Sequence, residues 1–310
     1  MVSRPHTSSV CRTRHSLKEF ETKLRRTATY VFERVCSGVY HQFLAKIWQD
    51  KTVDWKKWGI LIVLLLTIWV WQEWPDGRLH VVFCDVGQGD GALIVLGAFQ
   101  AVVDTGADKN KILSCLSRQM PFWDRQIELV FISHSDKDHS GALEEIKLRY
   151  KVGRVVDKPK KNDVIRYGML AFDIIKGSEL ADGVVEVSGS ETNNRSVVMR
   201  VVYGNFSALF TGDIDTESEL ALVSMGVLKK SKVIKVSHHG SKFGSTAEFL
   251  QSLRPELAII SVGEKNSYGH PNGDTLIRLD AVGAKTLRTD VRGMISLITD
   301  GKTTEIFCEK

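Results

Sequence analysis

Four side chains able to bind a metal ion stand within six residues: His134, Asp136, Asp138 and His139, in the run from Ser133 to Gly141, SHSDKDHSG. Imidazole nitrogens and carboxylate oxygens are the donors that divalent cations take from proteins. More such donors recur along the chain, each just after an apolar, β-branched run. Asp85 follows HVVFC, Asp104 follows QAVV, Asp213 follows ALFTG, and His238-His239 follow VIKVS. Singly, residues of these types cap helices and shape turns. Together, each at the end of a strand-like run, they predict one shared site, because side chains at strand ends converge along one edge of an α/β fold. Five of the nine histidines, His134, His139, His238, His239 and His270, lie in these loops. Ser140-Gly141 opens a helix-compatible stretch beside the cluster, and a helix start favours an anionic ligand such as phosphate. The chemistry such a set could do is metal-centred and directed at an anion.

The elements that must position these residues are legible from Leu79 onward. Short β-branched runs follow one another: LHVVFCDV, GALIVL, QAVVDTG, IELVFIS, GRVVD, SVVMRVVY, SALFTGD, KVIKVS, LAIISVG, GAKTLRTD and GMISLI. Each is bounded by Gly, Asp, Asn or Ser. Helix-compatible stretches separate some of them: KNKILSCLSRQM, GALEEIKLRY, TESELALVSMGVL, STAEFLQSLR and GDTLIRLDAV. About eleven strands are too many for one simple parallel sheet, so two mixed sheets packed together with helices outside are expected.

The first part of the chain is of another kind. The 310 residues carry a net charge of +5, but residues 1–57 hold 12 Lys+Arg against 5 Asp+Glu, whereas residues 75–310 hold 30 against 31. The basic excess is local, so a basic field over the folded part is excluded. From Trp58 to Trp71 runs WGILIVLLLTIWVW, without a charge and flanked by Trp55 and Trp74. Fourteen residues fall short of the ~20 that usually span a bilayer. The aromatic flanks, and Lys51, Lys56 and Lys57 on the N-terminal side, nevertheless predict a membrane anchor with a cytoplasmic N-terminus. Three parts are expected: a basic, partly helical cytoplasmic segment 1–57, a transmembrane anchor 58–74, and an extracytoplasmic domain 75–310. Five dispersed cysteines with no CxxC argue against a disulfide framework and against a cysteine-ligated zinc site.

The ordered motifs DVGQGD (85–90), DTG (104–106), SHSDKDHSG (133–141), NNRSVV (193–198), FTGD (210–213), KVSHHGS (235–241), SVGEKNSYGHP (261–271) and RTDVRGMISL (288–297) resemble the metallo-β-lactamase superfamily. They are most similar to the extracytoplasmic domain of the ComEC competence family. The resemblance spans residues 79–310 and implies an αββα sandwich with two divalent metal ions at the sheet edges. It places His134 and Asp136 on one metal. Asp138, His139 and a histidine of the His238-His239 pair fall on the other, with Asp213 between the two. Spacing does not decide within the pair; His238 is preferred. Asp85 is expected behind a histidine ligand, with Asp90, Asp104 and Asn194 in supporting positions. Asp138 and His270 are the expected catalytic residues, His270 as proton donor or as a turn residue before Pro271. Ser241, Lys242 and Asn266 are candidate phosphate contacts. Arg288 and Asp290 either join the site or form a structural ion pair.

Two departures from the wider superfamily matter. Asp136 stands where a second histidine is usual, and no histidine lies between His139 and His238. Asn193 and Asn194 lie where a third-motif histidine would fall, Asn193 being 20 residues before Asp213. Oxygen in place of imidazole shifts preference toward Mn²⁺, with Zn²⁺ or Mg²⁺ as alternatives. The implied activity is a phosphodiesterase or nuclease acting on single-stranded DNA in DNA uptake, beside the membrane and a separate multi-helix channel protein. A phosphodiesterase acting on a cell-envelope or small-molecule ester is the second reading. An inactive DNA-guiding module is the third.

Overall fold

The computed structural model describes residues 12–13, 55–72, 76–178 and 191–310. The chain divides into two units between Asp76 and Gly77, and each is described by itself. The described part of the first is the two-residue strand Arg12–Thr13 and helix α1 (Trp55–Gln72). From Ile60 to Leu66 every large apolar side chain of α1 is exposed. Among the described residues no helix is long and apolar enough to cross a membrane. This corrects the expected transmembrane segment 58–74. Its charge-free run sits in an 18-residue helix that begins with Trp-Lys-Lys and ends at Gln72. Residues 73–75 and most of 1–57 lie outside the described residues.

The second unit builds two layers of strands. The first sheet uses β1 (Leu79–Phe83), β2 (Gly91–Leu96), β3 (Phe99–Thr105), β4 (Gln126–Phe131) and β5 (Lys151–Val156). The second uses β6 (Val164–Tyr167), β7 (Leu170–Lys176), β8 (Val198–Tyr203), β9 (Phe206–Phe210), β10 (Val233–Lys235), β11 (Leu257–Ile260) and β12 (Lys285–Arg288). The chain then returns to the first sheet with β13 (Ile295–Thr299) and β14 (Thr304–Cys308). The strand orders are β14-β13-β1-β2-β3-β4-β5 and β12-β11-β10-β9-β8-β7-β6. Each sheet is antiparallel at one side and parallel at the other: β3, β4 and β5 run parallel, as do β9, β10, β11 and β12. Strands β6, β7 and β14 were not among the runs expected from sequence. Val164–Tyr167 is largely exposed and Thr304–Cys308 lies at the rim of its sheet, so neither carries a strong apolar signature.

Apolar residues of both sheets meet in one core, among them Phe83, Phe131, Phe172, Phe206 and Phe210. Outside the first sheet pack α2 (Lys109–Gln119), the short α3 (Lys137–Ser140) and α4 (Leu143–Arg149). Outside the second lie the short α5 (Glu191–Asn194), then α6 (Thr216–Ser224), α7 (Ala247–Leu253) and α8 (Gly273–Ala281). A last turn, α9 (Thr289–Arg292), precedes β13. The four longer layers are therefore helix, sheet, sheet, helix. Because both faces of the sheets are covered, central strands are apolar throughout; every residue of β3 is buried. Four of the five expected helices start where a side-chain oxygen meets the free amides: Asp108, Asp215, Thr246 and Asn272 cap α2, α6, α7 and α8, while α4 starts at Ala142 with no such cap.

Two further expectations are resolved here. Arg288 pairs with Asp290 through Nε and Nη2, a structural ion pair. Cys84 and Cys115 form a disulfide, which corrects the reading of the cysteines. They are 31 residues apart in sequence and meet only because α2 lies over the end of β1.

Candidate metal centre

The parallel strands of both sheets end along one edge, and the predicted residues sit on the loops that leave them. Asp104 closes β3, His134 to His139 follow β4, Asp213 follows β9, and His238-His239 follow β10. The loop after β1 reaches over the same edge. Gly89, at φ +124°, lets it lie against the Asp138 carbonyl, and a Cβ there would fall 2.2 Å from that oxygen. Asp90 N donates to the Asp138 carbonyl at 3.1 Å. Asp104, His238 and His239 all hold left-handed backbone, φ 56°, 48° and 53°. For residues with a Cβ that conformation costs energy and persists where the surroundings impose it.

Asp138, His139, Asp213 and His239 converge. His139 Nε2 lies 3.2 Å from Asp213 Oδ1, and His239 Nε2 lies 3.3 Å from both Asp213 Oδ2 and Asp138 Oδ2. On the far side of each ring the proton is fixed. His139 Nδ1 donates to Asp104 Oδ2 at 3.0 Å, and His239 Nδ1 donates to the Ser261 carbonyl at 2.9 Å. Each Nε2 then faces the carboxylates, and it is this atom that a cation would take in place of a proton. Among the described residues, Nε2 of His134, His139 and His239 and Oδ1 of Asp213 are buried with no hydrogen-bond partner. Buried polar atoms rarely stay orphaned. Two imidazoles and two carboxylates, hydrogen-bonded from behind and open in front, fit a divalent cation.

The charges agree. Burial works against a proton on His139, yet Asp213, Asp104 and Asp90 outweigh it and raise the group to about 10. The same balance, led by Asp213 and Asp90 against burial, raises His239. A pocket negative enough to protonate buried imidazoles is one where a cation replaces those protons. A second trio, Asp90, Asp104 and His139, also lies together. It is engaged on its inner side: Asp90 Oδ2 pairs with the buried ammonium of Lys235, and Asp104 takes the His139 Nδ1 proton and the Ser133 hydroxyl.

His134 and Asp136 stand side by side at the cluster's edge, Nε2 to Oδ2 at 3.6 Å, with the His134 ring centroid 4.1 Å from that of His139. Within the histidine pair the preference for His238 is not matched. His239 is buried and central, whereas His238 Nε2 stands 3.9 Å from Asp213 Oδ2 and faces outward. Asp85 is not behind a histidine; it takes Gly87 N and the Lys111 ammonium. Asp104 and Asp90 hold the supporting positions instead. Asn194 Oδ1 accepts from Ser218 and its carbonyl from Lys176, so it braces its loop. From the same NNRSVV motif, Ser196 Oγ touches His134 Nδ1 at 3.2 Å.

His270 lies next to His238, ring centroids 5.7 Å apart. Burial, then the charges of His238 and His239, lowers it to about 4, so at neutral pH it is uncharged and cannot serve as an imidazolium donor. Asn266 clamps the backbone of His270 from both sides and is a loop brace. Ser241 is buried, with Oγ accepting from Phe243 N. Lys242 lies over the Phe243 ring at 4.8 Å.

Sequence reasoning missed three residues. Lys235, inside the KVSHHGS motif, is buried at the cluster's back, 3.5 Å from Asp213 and donating to the Gly212 carbonyl at 3.1 Å. Ser133 bridges Asp104 to both His134 and His139. Glu219, a buried carboxylate on α6, accepts from Ser237 Oγ, Ser245 N and Thr246 N and so ties down the loop that carries both histidines. The first two sat in recognised motifs. Glu219 gave no signal beyond an acidic residue in a helical stretch.

The model of the metallo-beta-lactamase superfamily matches residues 84–264. ComE operon protein 3 of Bacillus subtilis (strain 168) is 30% identical over 257 residues, covering 71% of this chain and 33% of that protein. Competence protein ComA of Neisseria gonorrhoeae is 28% identical over 249 residues, covering 77% of this chain and 35% of that protein. The chain thus spans about a third of the length of the curated relatives it matches. Among solved structures, CmlA, a diiron beta-hydroxylase from Streptomyces venezuelae, is similar in fold, with TM-score 0.50 and 14% identity over 73% of this chain and 55% of that one.

Proposed function

The chain belongs to the metallo-beta-lactamase superfamily, and from that premise we propose that it is a metal-dependent phosphodiesterase acting on single-stranded DNA in ComEC-like DNA uptake. The observation that carries the reading is the cluster of Asp138, His139, Asp213 and His239, whose two orphaned Nε2 atoms face two carboxylates. His134 and Asp136 would hold a second ion beside it. Oxygen-rich ligation favours Mn²⁺ over Zn²⁺. The similarity to Competence protein ComA supports DNA as the substrate.

Bound there, divalent ions would supply Lewis acidity to the phosphoryl oxygens and a water of lowered pKa. The chain's own residues do the rest. Asp104 and the Ser261 carbonyl fix the tautomers of His139 and His239. Lys235 holds Asp213 and Asp90 in place from behind. Burial keeps His238 below its ordinary pKa, so it is neutral at pH 7 and its ring can take up the proton of an attacking water. His270, also neutral, stands beside that ring, centroids 5.7 Å apart, and lines the approach to it without carrying the proton.

The full chain supplied with Mn²⁺ is expected to cut a single-stranded oligonucleotide, and Asp138→Ala to lose at least a hundredfold in rate. A metal-loaded chain that cleaves no phosphodiester overturns the reading. The near balance of charge over residues 75–310 favours a smaller phosphoester instead; cleavage of such an ester with no cleavage of DNA would select it. For location, the exposed apolar side chains of α1 support attachment to a membrane, and the Cys84–Cys115 disulfide supports an oxidising, extracytoplasmic setting for the hydrolase unit. Recovery of the full chain in the soluble fraction after gentle lysis would refute the attachment.

A further inference from the structure

A cavity of about 470 Å³ opens directly beside the metal centre, with an apolar floor of Leu220 and Phe243. His238 forms the wall between the two, and its Nε2 is 3.9 Å from Asp213 Oδ2. The opposite wall is the start of α6, Asp215, Thr216 and Glu217. Phe243 is 60% exposed, an unusual place for a ring of that size. It is nonetheless fixed: its carbonyl accepts from Thr216 Oγ1 at 2.6 Å and its amide donates to Ser241 Oγ at 3.3 Å. The same loop carries His238 and His239, so these backbone contacts hold Phe243 in place beside the cluster.

The chemistry of this cavity differs from that of the centre. Two carboxylates on its wall repel phosphate. An open aromatic face and an aliphatic floor bind a flat heteroaromatic group, and a carboxylate at the rim accepts hydrogen bonds from exocyclic amino groups. Resting on the DNA reading above, we infer that this cavity is a nucleobase subsite: the base next to the scissile phosphate stacks on Phe243 against Leu220 while the phosphate sits at the metal centre. The Lys242 ammonium lies 4.8 Å from the ring centroid over one face of Phe243, so the base takes the other face. The subsite makes the centre selective for nucleic acid over simple phosphodiesters, although residues 75–310 carry no net positive charge.

The test compares a single-stranded oligonucleotide with an abasic strand of the same length, each end-labelled, using the full chain with Mn²⁺. Binding is read by fluorescence anisotropy and cleavage by gel. The native chain is expected to bind the base-bearing strand roughly tenfold more tightly than the abasic one, the size of one stacked base. Phe243→Ala is expected to remove that preference and leave abasic binding unchanged, while Phe243→Tyr, which keeps a ring, retains it. A native chain that binds and cuts both strands alike overturns the subsite and leaves the nuclease reading standing. A Phe243→Ala chain that weakens both strands equally also overturns it. A native chain that neither binds nor cuts either strand overturns the nuclease reading and the subsite with it.

Discussion

His238 and His239 are neighbours in the chain and unequal in the fold. Both hold left-handed backbone, which turns the two rings to different sides of the loop. His239→Asn is therefore expected to lose bound metal, and His238→Asn to keep it while slowing turnover; metal content by mass spectrometry after dialysis separates the two. Equal loss from both variants would place them in one shell. Lys235 and Asp90 make a second prediction. Burial alone would raise the Asp90 carboxyl, but Lys235, His139 and His239 pull it from its ordinary 3.8 to about 2. A depressed carboxyl stabilises the fold above its unfolded value, and that stability is lost as pH falls from about 4 to below 2. The contribution is about 2 kcal/mol, read by urea unfolding of the metal-free chain across that window. Lys235→Met leaves Asp90 buried and unpaired, which is expected to cost about 3–5 kcal/mol at pH 7 and to flatten the acid limb. No spacing rule announces this lysine. It reads as one more charge before a histidine pair, and only the fold shows that its ammonium is enclosed by carboxylates.

The elements deliver these residues because each parallel strand stops at the same edge. That much is legible in the sequence: the β-branched runs and the donors after them point Asp104, His134, His139, Asp213 and the histidine pair to one edge. What the runs could not show is which supporting contact each loop makes. Asp85 and Asp104 look alike from the sequence, each closing a strand. Asp104 lies inside, against His139, and Asp85 lies outside, against Lys111, because the DVGQGD loop turns over at Gly87 and Gly89. The cysteines failed for a related reason. Cys84 directly follows β1 and Cys115 lies on α2, and the packing of those elements, not any spacing, brings the Cα atoms to 5.9 Å. This bridge ties α2 to the start of the loop that ends in Asp90. Closing a loop of 31 residues is worth about 3–4 kcal/mol in the chain-entropy account. The double variant Cys84→Ala, Cys115→Ala is expected to unfold at correspondingly lower urea, with metal content unchanged once folded. Unchanged stability would mean that the native packing of α2 needs no tether.

At the scale of the whole molecule, the charge is separated along the chain. The excess of basic residues lies before residue 58, and residues 75–310 are balanced at 30 Lys+Arg and 31 Asp+Glu. A single-strand binder that grips by lysine and arginine loses affinity with a slope of about −0.7 in log K against log salt for each phosphate it neutralises, so six contacts give about −4. The hydrolase unit has no net positive charge to offer, and the lysine buried at the centre, Lys235, is spent on Asp90 and Asp213. On the proposed reading, attraction for a phosphate would then come from ions that Asp138, His139, Asp213 and His239 could hold, together with stacking beside them. Two measurements follow from that division. Chelation is expected to abolish oligonucleotide binding, not only cleavage, and restored Mn²⁺ to return both. The salt slope of the metal-loaded chain is expected near −1, the mark of one or two phosphates held at a centre. A steep slope that survives chelation would instead locate the grip in the basic residues before 58, and the unit's near-neutral surface would then have no part in recognising the strand.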